Sequence, residues 1–201
     1  MIGLFLGEKK LPLEILKSLK KKKIKYFIID LSKNNKFKKY KNSHFINIGK
    51  FGEILELIKL KKCKKVLFAG NIIKPRISKL KLDLKGIYYI PRIIKASKLG
   101  DAAILKELIE ILSENKIKVI KLNTYNPELT LTRGCYTKSK PSTIDKLTIK
   151  KGIKILNNSN SFNHVQALVI NNRNIVSLEK RKGTKDMLKS IRNNNLQNKL
   201  L

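Results

Sequence analysis

Two short glycine-bearing segments are the part of this sequence best suited to hold a phosphate or a sugar. One is Gly7-Glu8-Lys9-Lys10, directly after the apolar run Ile2 to Leu6, and the other is Gly70-Asn71, directly after KVLFA. Glycine lets a ligand approach the backbone, and an asparagine amide can both donate and accept a hydrogen bond. The plainer reading is that Gly70 permits a turn which Asn71 caps, and the sequence leaves both open. Lys74 and Arg76 flank Pro75 just beyond. They could neutralise phosphate, although so basic a chain puts a cation near any segment. The first loop does not match GxGxxG, and Glu8 would repel a pyrophosphate, which disfavours dinucleotide binding; GxxxxGK[ST] is absent. Arg133-Gly134, in a hydroxyl-rich stretch, offers a fork-shaped cation on a turn. Gly183-Thr184 opens a helical pattern, where backbone N–H groups, a hydroxyl and the helix dipole favour an anion, with an ordinary N-cap as the alternative. His44 and His164 lack the neighbours of a triad or a metal motif, and Cys63 and Cys135 form no CxxC or Cys/His pattern.

Composition narrows the class less than its loudest number suggests. The 201 residues carry 46 Lys and Arg against 14 Asp and Glu, a formal charge of +32, while 42% are hydrophobic. That hydrophobic fraction argues for a folded chain rather than a disordered polycation. The excess is mostly lysine, spread along the whole length with abundant Asn and Ile. An A+T-rich coding sequence would produce that mixture, whereas a specific nucleic-acid binder concentrates arginine and aromatics at an interface. No specific nucleic-acid partner is therefore expected, and a basic RNA-associated protein stays as an alternative reading. The start MIGLFLGEKKLP has no basic region before its apolar run and is too short to span a bilayer, so the expectation is a cytoplasmic protein in a reducing compartment. Oligomeric state stays open, a homo-oligomer included.

These residues need elements to position them, and the pattern supplies alternating strands and helices. Ile2 to Leu6 reads as a strand, Leu13 to Leu19 as a helix after Pro12, Tyr26 to Leu31 as a strand, and Phe45 to Ile48 as a short one. Gly52 to Leu60 follows as an amphipathic helix, then the buried-looking strand Lys65 to Gly70. Ile93 to Asn115 is helical with a break at Gly100, where Asp101 is the expected N-cap, and Lys118 to Leu122 closes the series. The predicted class is α/β: a Rossmann-like parallel sheet with helices on both faces over residues 1–125, binding ligands at the C-terminal ends of its strands. A linker loop over 126–142 leads to a smaller, incomplete α+β domain over 143–201. There Thr143 to Leu156 reads as a helix, Ala167 to Ile170 and Ile175 to Leu178 as a hairpin, Thr184 to Ile191 as a helix, and the tail from Asn193 as frayed.

In order and spacing the segments GLFLGEKKLP, FGEILELIK, VLFAGNIIKPRISKL, YIPRIIKASKLGDAAILKEL, LTLTRG and GTKDML resemble one family, the UDP-2,3-diacylglucosamine pyrophosphatases of LpxI type, which act in bacterial lipid A synthesis. The resemblance implies a Rossmann-like N-terminal domain and a smaller second domain with substrate held between them. It also implies Mg2+ or another divalent metal assisting water attack on the pyrophosphate. Gly7, Gly70, Asn71, Asp101, Arg133, Gln166, Gly183 and Thr184 fall on motif positions for UDP-2,3-diacylglucosamine, with Asn71, Gln166 and Thr184 the strongest substrate contacts. The resemblance names no catalytic or metal residue within the chain. Departures are that the first loop keeps only Gly7, Ala102 replaces the second of two aspartates, and Lys182 and Lys185 replace acidic residues. The family's Asp-Leu-Pro segment lies beyond the position of Leu201. The expectation is thus a shortened relative, active with residues supplied elsewhere or retaining only nucleotide binding. A basic surface would favour peripheral contact with an anionic inner membrane.

Overall fold

A computed structural model describes residues 1–73, 77–132, 134–158, 165, 167–171, 174–180 and 183–192. Two compact units emerge, one comprising 1–95 and 106–132, the other 96–105 and 133–201.

The first unit is built on five parallel strands. They are β1 (Ile2–Leu6), β2 (Tyr26–Asp30), β3 (Ser43–Phe45), β4 (Lys65–Ala69) and β5 (Lys118–Val119), in the spatial order β3-β2-β1-β4-β5. Strand alternation sends side chains to two separate cores. Ile2, Leu4 and Leu6 pack with Ile28 and Leu67 against Ile15, Leu16 and Leu19 of α1 (Leu11–Lys21). On the other face Phe5, Phe27, Ile29 and Val66 meet Ile54 and Ile58 of α2 (Phe51–Leu60) and Ile111 and Leu112 of α4 (Asp101–Glu114). The two faces follow from connection handedness. The β1-α1-β2 crossover steps one way along the sheet while β3-α2-β4 steps back, so right-handed crossovers put their helices on opposite sides. Both faces of the sheet are therefore covered, as a parallel sheet requires.

Several elements differ from the sequence expectation. The third strand is Ser43–Phe45, two residues earlier than expected, because Ser43, His44 and Phe45 take register against Ile28, Ile29 and Asp30. The helix α3 (Leu84–Ser97) starts nine residues before Ile93 and carries Pro91 inside it. It begins where Asp83 can cap it: the Asp83 carboxylate accepts from Gly86 N at 2.7 Å. Helix α4 includes Asp101 as its first residue, so the preceding Gly100, whose carbonyl accepts from Ile104 N, takes the N-cap position expected of Asp101.

The second unit contains α5 (Thr143–Asn158), the antiparallel hairpin β6 (Leu168–Asn171) and β7 (Asn174–Leu178), and α6 (Thr184–Arg192). Helix α5 opens with a capping box, in which Ser142 N and Oγ donate to Asp145 Oδ2 while Asp145 N donates to Ser142 Oγ. Among the described residues of this unit Val169, Met187 and Ile191 form one buried cluster, flanked by Ala167 and Val176.

Candidate functional site at the ends of the central strands

In the order β3-β2-β1-β4-β5 the chain reverses direction between β1 and β4, and the crevice beyond their C-terminal ends is where open α/β sheets bind ligands. Gly7 and Gly70 both lie there. Gly7 N donates to Ala69 O at 2.9 Å, Glu8 N to Asn71 O at 2.7 Å, and Asn71 N to Glu8 O at 3.2 Å, so the two post-strand loops are laced together by backbone. Neither glycine tolerates a side chain. A Cβ on Gly7 would collide with the Asn71 carbonyl, and one on Gly70 would lie 2.5 Å from Glu8 O with the backbone at φ +87°. The tight turn expected of Gly70 is present. The glycines let two loops close on each other, and Asn71 spends its backbone on that closure while its exposed side-chain amide bonds to no other described residue.

The loop after β2 completes the mouth. Asp30 ends that strand fully buried, its carboxylate accepting from Ser32 N at 2.8 Å and Phe37 N at 2.9 Å. Ser32 Oγ in turn accepts from Lys36 N, which folds residues 31–37 back over the sheet edge. Glu8 Oε1 accepts from Lys33 N at 3.0 Å, and Lys36 Nζ donates to Lys9 O at 3.0 Å. The carboxylate expected to repel a pyrophosphate is therefore turned to the β2 loop and engaged there. Lys9, Lys10, Lys33 and Lys36 give this edge a net positive charge. Beside the mouth, Phe5, Leu31, Ile48, Phe51 and Phe68 line an apolar recess of about 20 Å³, room for one water and too little for a nucleobase.

Sequence reasoning missed Asp30, Lys33 and Lys36. The available signal was an aspartate closing an apolar strand three positions before a lysine-rich loop.

The other expected residues sit elsewhere. Asp101, exposed, opens α4 in the second unit. Gly183, at φ +85°, precedes α6 and its carbonyl accepts from Met187 N, so Gly183 is that helix's N-cap. The Thr184 hydroxyl donates to Glu179 Oε1 at 2.8 Å instead of capping. Arg133 and Gln166 lie outside the described residues, as do Lys74, Pro75, Arg76, His164, Lys182 and the tail from Asn193. His44 packs edge-on against Phe27, and burial, helped by the charge of Lys61, lowers its pKa. Among the described residues no three His, Cys, Asp or Glu side chains converge as a metal site. The carboxylates nearest the mouth, Asp30 and Glu8, already accept N–H groups. That donor set does not fit a divalent cation, and no step is assigned to one. No described helix is long and apolar enough to cross a membrane.

The curated UDP-2,3-diacylglucosamine pyrophosphatase LpxI of Caulobacter vibrioides is 27% identical over 146 residues, which is 73% of this chain and 52% of that protein. The chain therefore matches about half the length of that relative. The family profile of the LpxI N-terminal domain matches residues 1–129 and that of the LpxI C-terminal domain matches residues 132–201. With both domain profiles met in order, and the first covering the unit that carries the Gly7 and Gly70-Asn71 mouth, the chain belongs to the LpxI family.

Proposed function

We propose that the chain hydrolyses the pyrophosphate bond of UDP-2,3-diacylglucosamine, giving UMP and 2,3-diacylglucosamine 1-phosphate. The observation that carries this reading is the meeting of Gly7, Gly70 and Asn71 at the switch point of a sheet whose family relative bears that activity in its name. In the reaction a water oxygen forms a bond to one phosphorus, the bridging P–O bond breaks, and the released phosphate keeps the bridging oxygen while the water proton passes to solvent.

The residues of the mouth serve binding and charge. The bare backbone at Gly70 admits a phosphate or ribose to close range, and the Asn71 amide can donate to one oxygen while accepting from a hydroxyl. Lys9, Lys10, Lys33 and Lys36 offset the charge of the diphosphate and its developing leaving group. Asp101, Arg133, Gln166, Gly183 and Thr184 are carried as further substrate contacts on the strength of the family motifs alone. Magnesium or another divalent ion enters as a variable of the assay, as does self-association of the chain.

The test is UMP release from UDP-2,3-diacylglucosamine by purified protein, with and without magnesium. Release that Asn71→Ala lowers by tenfold or more, with the melting temperature unchanged, is the expected result. Calorimetric binding of the sugar nucleotide with no UMP formed would reassign the chain to a binding role, and neither binding nor release would remove the reading.

A further inference from the structure

Helix α3 presents an apolar stripe to solvent. Leu84, Ile87 and Tyr88 are 86%, 57% and 72% exposed, and Pro91 continues the same i, i+3, i+4, i+7 face. The opposite face holds the helix in place. Tyr89 packs edge-on against Phe51 with ring centroids 5.5 Å apart, and Arg92 is clamped by Glu107 and Glu114 of α4. The helix is thus rigidly mounted with its apolar side outward.

Cations surround the stripe. Lys81 precedes it, Lys85 lies within it and Lys95 follows it. Lys85 also lines an open recess of about 540 Å³ together with Lys59, Lys62, Lys64 and Lys116, where Glu56 is the single acidic residue. Among the described residues none of these five lysines has an ion-pair partner. Leu60, next to Lys59 at the end of α2, is 79% exposed.

We propose that this face of α3, with the adjoining lysine recess, docks on an anionic lipid bilayer. The occupant must bring both negative charge and apolar contact. A second copy of the chain would bring its own lysines to the face and be repelled. A nucleic acid would find one exposed aromatic ring, Tyr88, among aliphatic side chains that offer nothing to a base. A bilayer with anionic head groups satisfies both halves: Leu84, Ile87 and Pro91 enter the boundary region, the amphipathic ring of Tyr88 sits at head-group level, and the lysines meet lipid phosphates. This surface lies apart from the Gly7 and Gly70 mouth and does not rest on the reaction proposed for it.

The experiment is co-sedimentation of the full chain with phosphatidylcholine vesicles, with or without phosphatidylglycerol, in the absence of any sugar nucleotide. Binding to the anionic vesicles alone is expected, weakening as salt rises. Leu84→Ser with Tyr88→Ser should weaken it at least tenfold, and Lys59→Gln with Lys85→Gln about 25-fold, near fivefold per lysine. All four side chains are exposed, so circular dichroism should show an unchanged fold. Vesicle affinity untouched by the stripe substitutions would overturn the proposal. So would a wild-type dimer, seen by sedimentation velocity, that the stripe substitutions dissociate, or binding to single-stranded RNA in place of vesicles. UMP release from detergent-dispersed substrate is a separate readout, and its loss or retention leaves the vesicle result standing.

Discussion

Asp83 serves the N-termini of two helices with one carboxylate. Oδ1 accepts from Gly86 N at 2.7 Å in the first turn of α3, and Oδ2 accepts from Glu53 N at 3.0 Å in the first turn of α2, whose own N-cap Lys50 has no side-chain cap bond. Gly52 and Gly86 make room: a Cβ on Gly52 would sit 2.9 Å from Asp83 Oδ2, and one on Gly86 would collide with the Gly49 carbonyl. Removing the carboxylate by Asp83→Ala should cost about 2 kcal/mol, near 1 for each cap, measured by urea denaturation at neutral pH. Burial acts to raise this pKa, but the N–H groups of Gly86, Gly52 and Glu53 and the charge of Lys50 bring it below its ordinary 3.8. A lowered folded-state pKa means the stabilisation is complete above about 3.8 and fades as pH falls through the lower value. The gap between wild type and Asp83→Asn should accordingly narrow in acid, and a gap constant from pH 7 to pH 2 would contradict the capping role. At Gly70 the expected cost of Gly70→Ala is about 2 kcal/mol or more, from the left-handed backbone and the contact with Glu8 O, read as a drop in melting temperature.

At the scale of elements, three helices end in the same way. Ile24 N donates to Leu19 O, Cys63 N to Ile58 O and Ile117 N to Leu112 O, each with the paired inner bond of a Schellman turn. The left-handed position in these turns is Lys23 at φ 54°, Lys62 at 48° and Lys116 at 60°, where glycine is normally favoured. Relief of the left-handed strain outweighs the added freedom of glycine in the unfolded chain, so Lys23→Gly should stabilise by about 0.5–1 kcal/mol. Thermal denaturation would show it, and Lys23 is the clean choice because Lys62 and Lys116 line the basic recess. Between elements, Arg92 bonds Glu107 at 2.5 Å and both carboxylate oxygens of Glu114 at 2.9 and 2.8 Å, fixing α3 on α4. The hydrogen bond to Glu114 comes first in raising the Arg92 pKa and in lowering that of Glu114. Arg92→Lys should fail to restore what Arg92→Ala loses, since an ammonium cannot reproduce a three-point fork.

At the scale of the whole molecule, a contact more than 100 residues long in sequence ties the segment after β5 back to α1. Lys22 Nζ donates to Tyr125 O at 2.6 Å and Glu128 Oε2 at 2.8 Å, and Ser18 Oγ donates to Glu128 Oε1. The bonds from Lys22, then Ser18, bring the Glu128 pKa down to about 2. The tie is therefore complete above pH 4.5, the ordinary value, and is lost as pH falls toward about 2. Protection factors from native-state hydrogen exchange over residues 122–130, which correct for the slower intrinsic exchange in acid, should fall over that window, and Glu128→Gln should remove the pH step. The lysines remain spread over strand ends, helix ends and loops, and the edge around Lys59 and Lys85 joins several of them to the exposed apolar side chains Leu60, Leu84 and Ile87.

The fold class was legible because apolar runs of five residues alternating with helical stripes can bury both patterns only as a covered parallel sheet, and Gly7 and Gly70 showed where its loops turn tightly. The capping box Ser142 to Asp145 is local in sequence, but the sequence reading did not single it out. What required the tertiary structure was everything depending on partners distant in the chain. Asp83 gains its second helix, Glu8 its place against Lys33, and Asn71 its backbone pairing with Glu8 only once crossovers bring the strand ends together. The early start of α3 was partly hidden for the same reason: its cap Asp83 is local, but Tyr89 packs against Phe51 of α2, and no local period encodes a neighbour's position. Composition and periodicity record which faces must be buried; only the folded chain decides which polar groups meet at the mouth and which apolar ones are left facing outward.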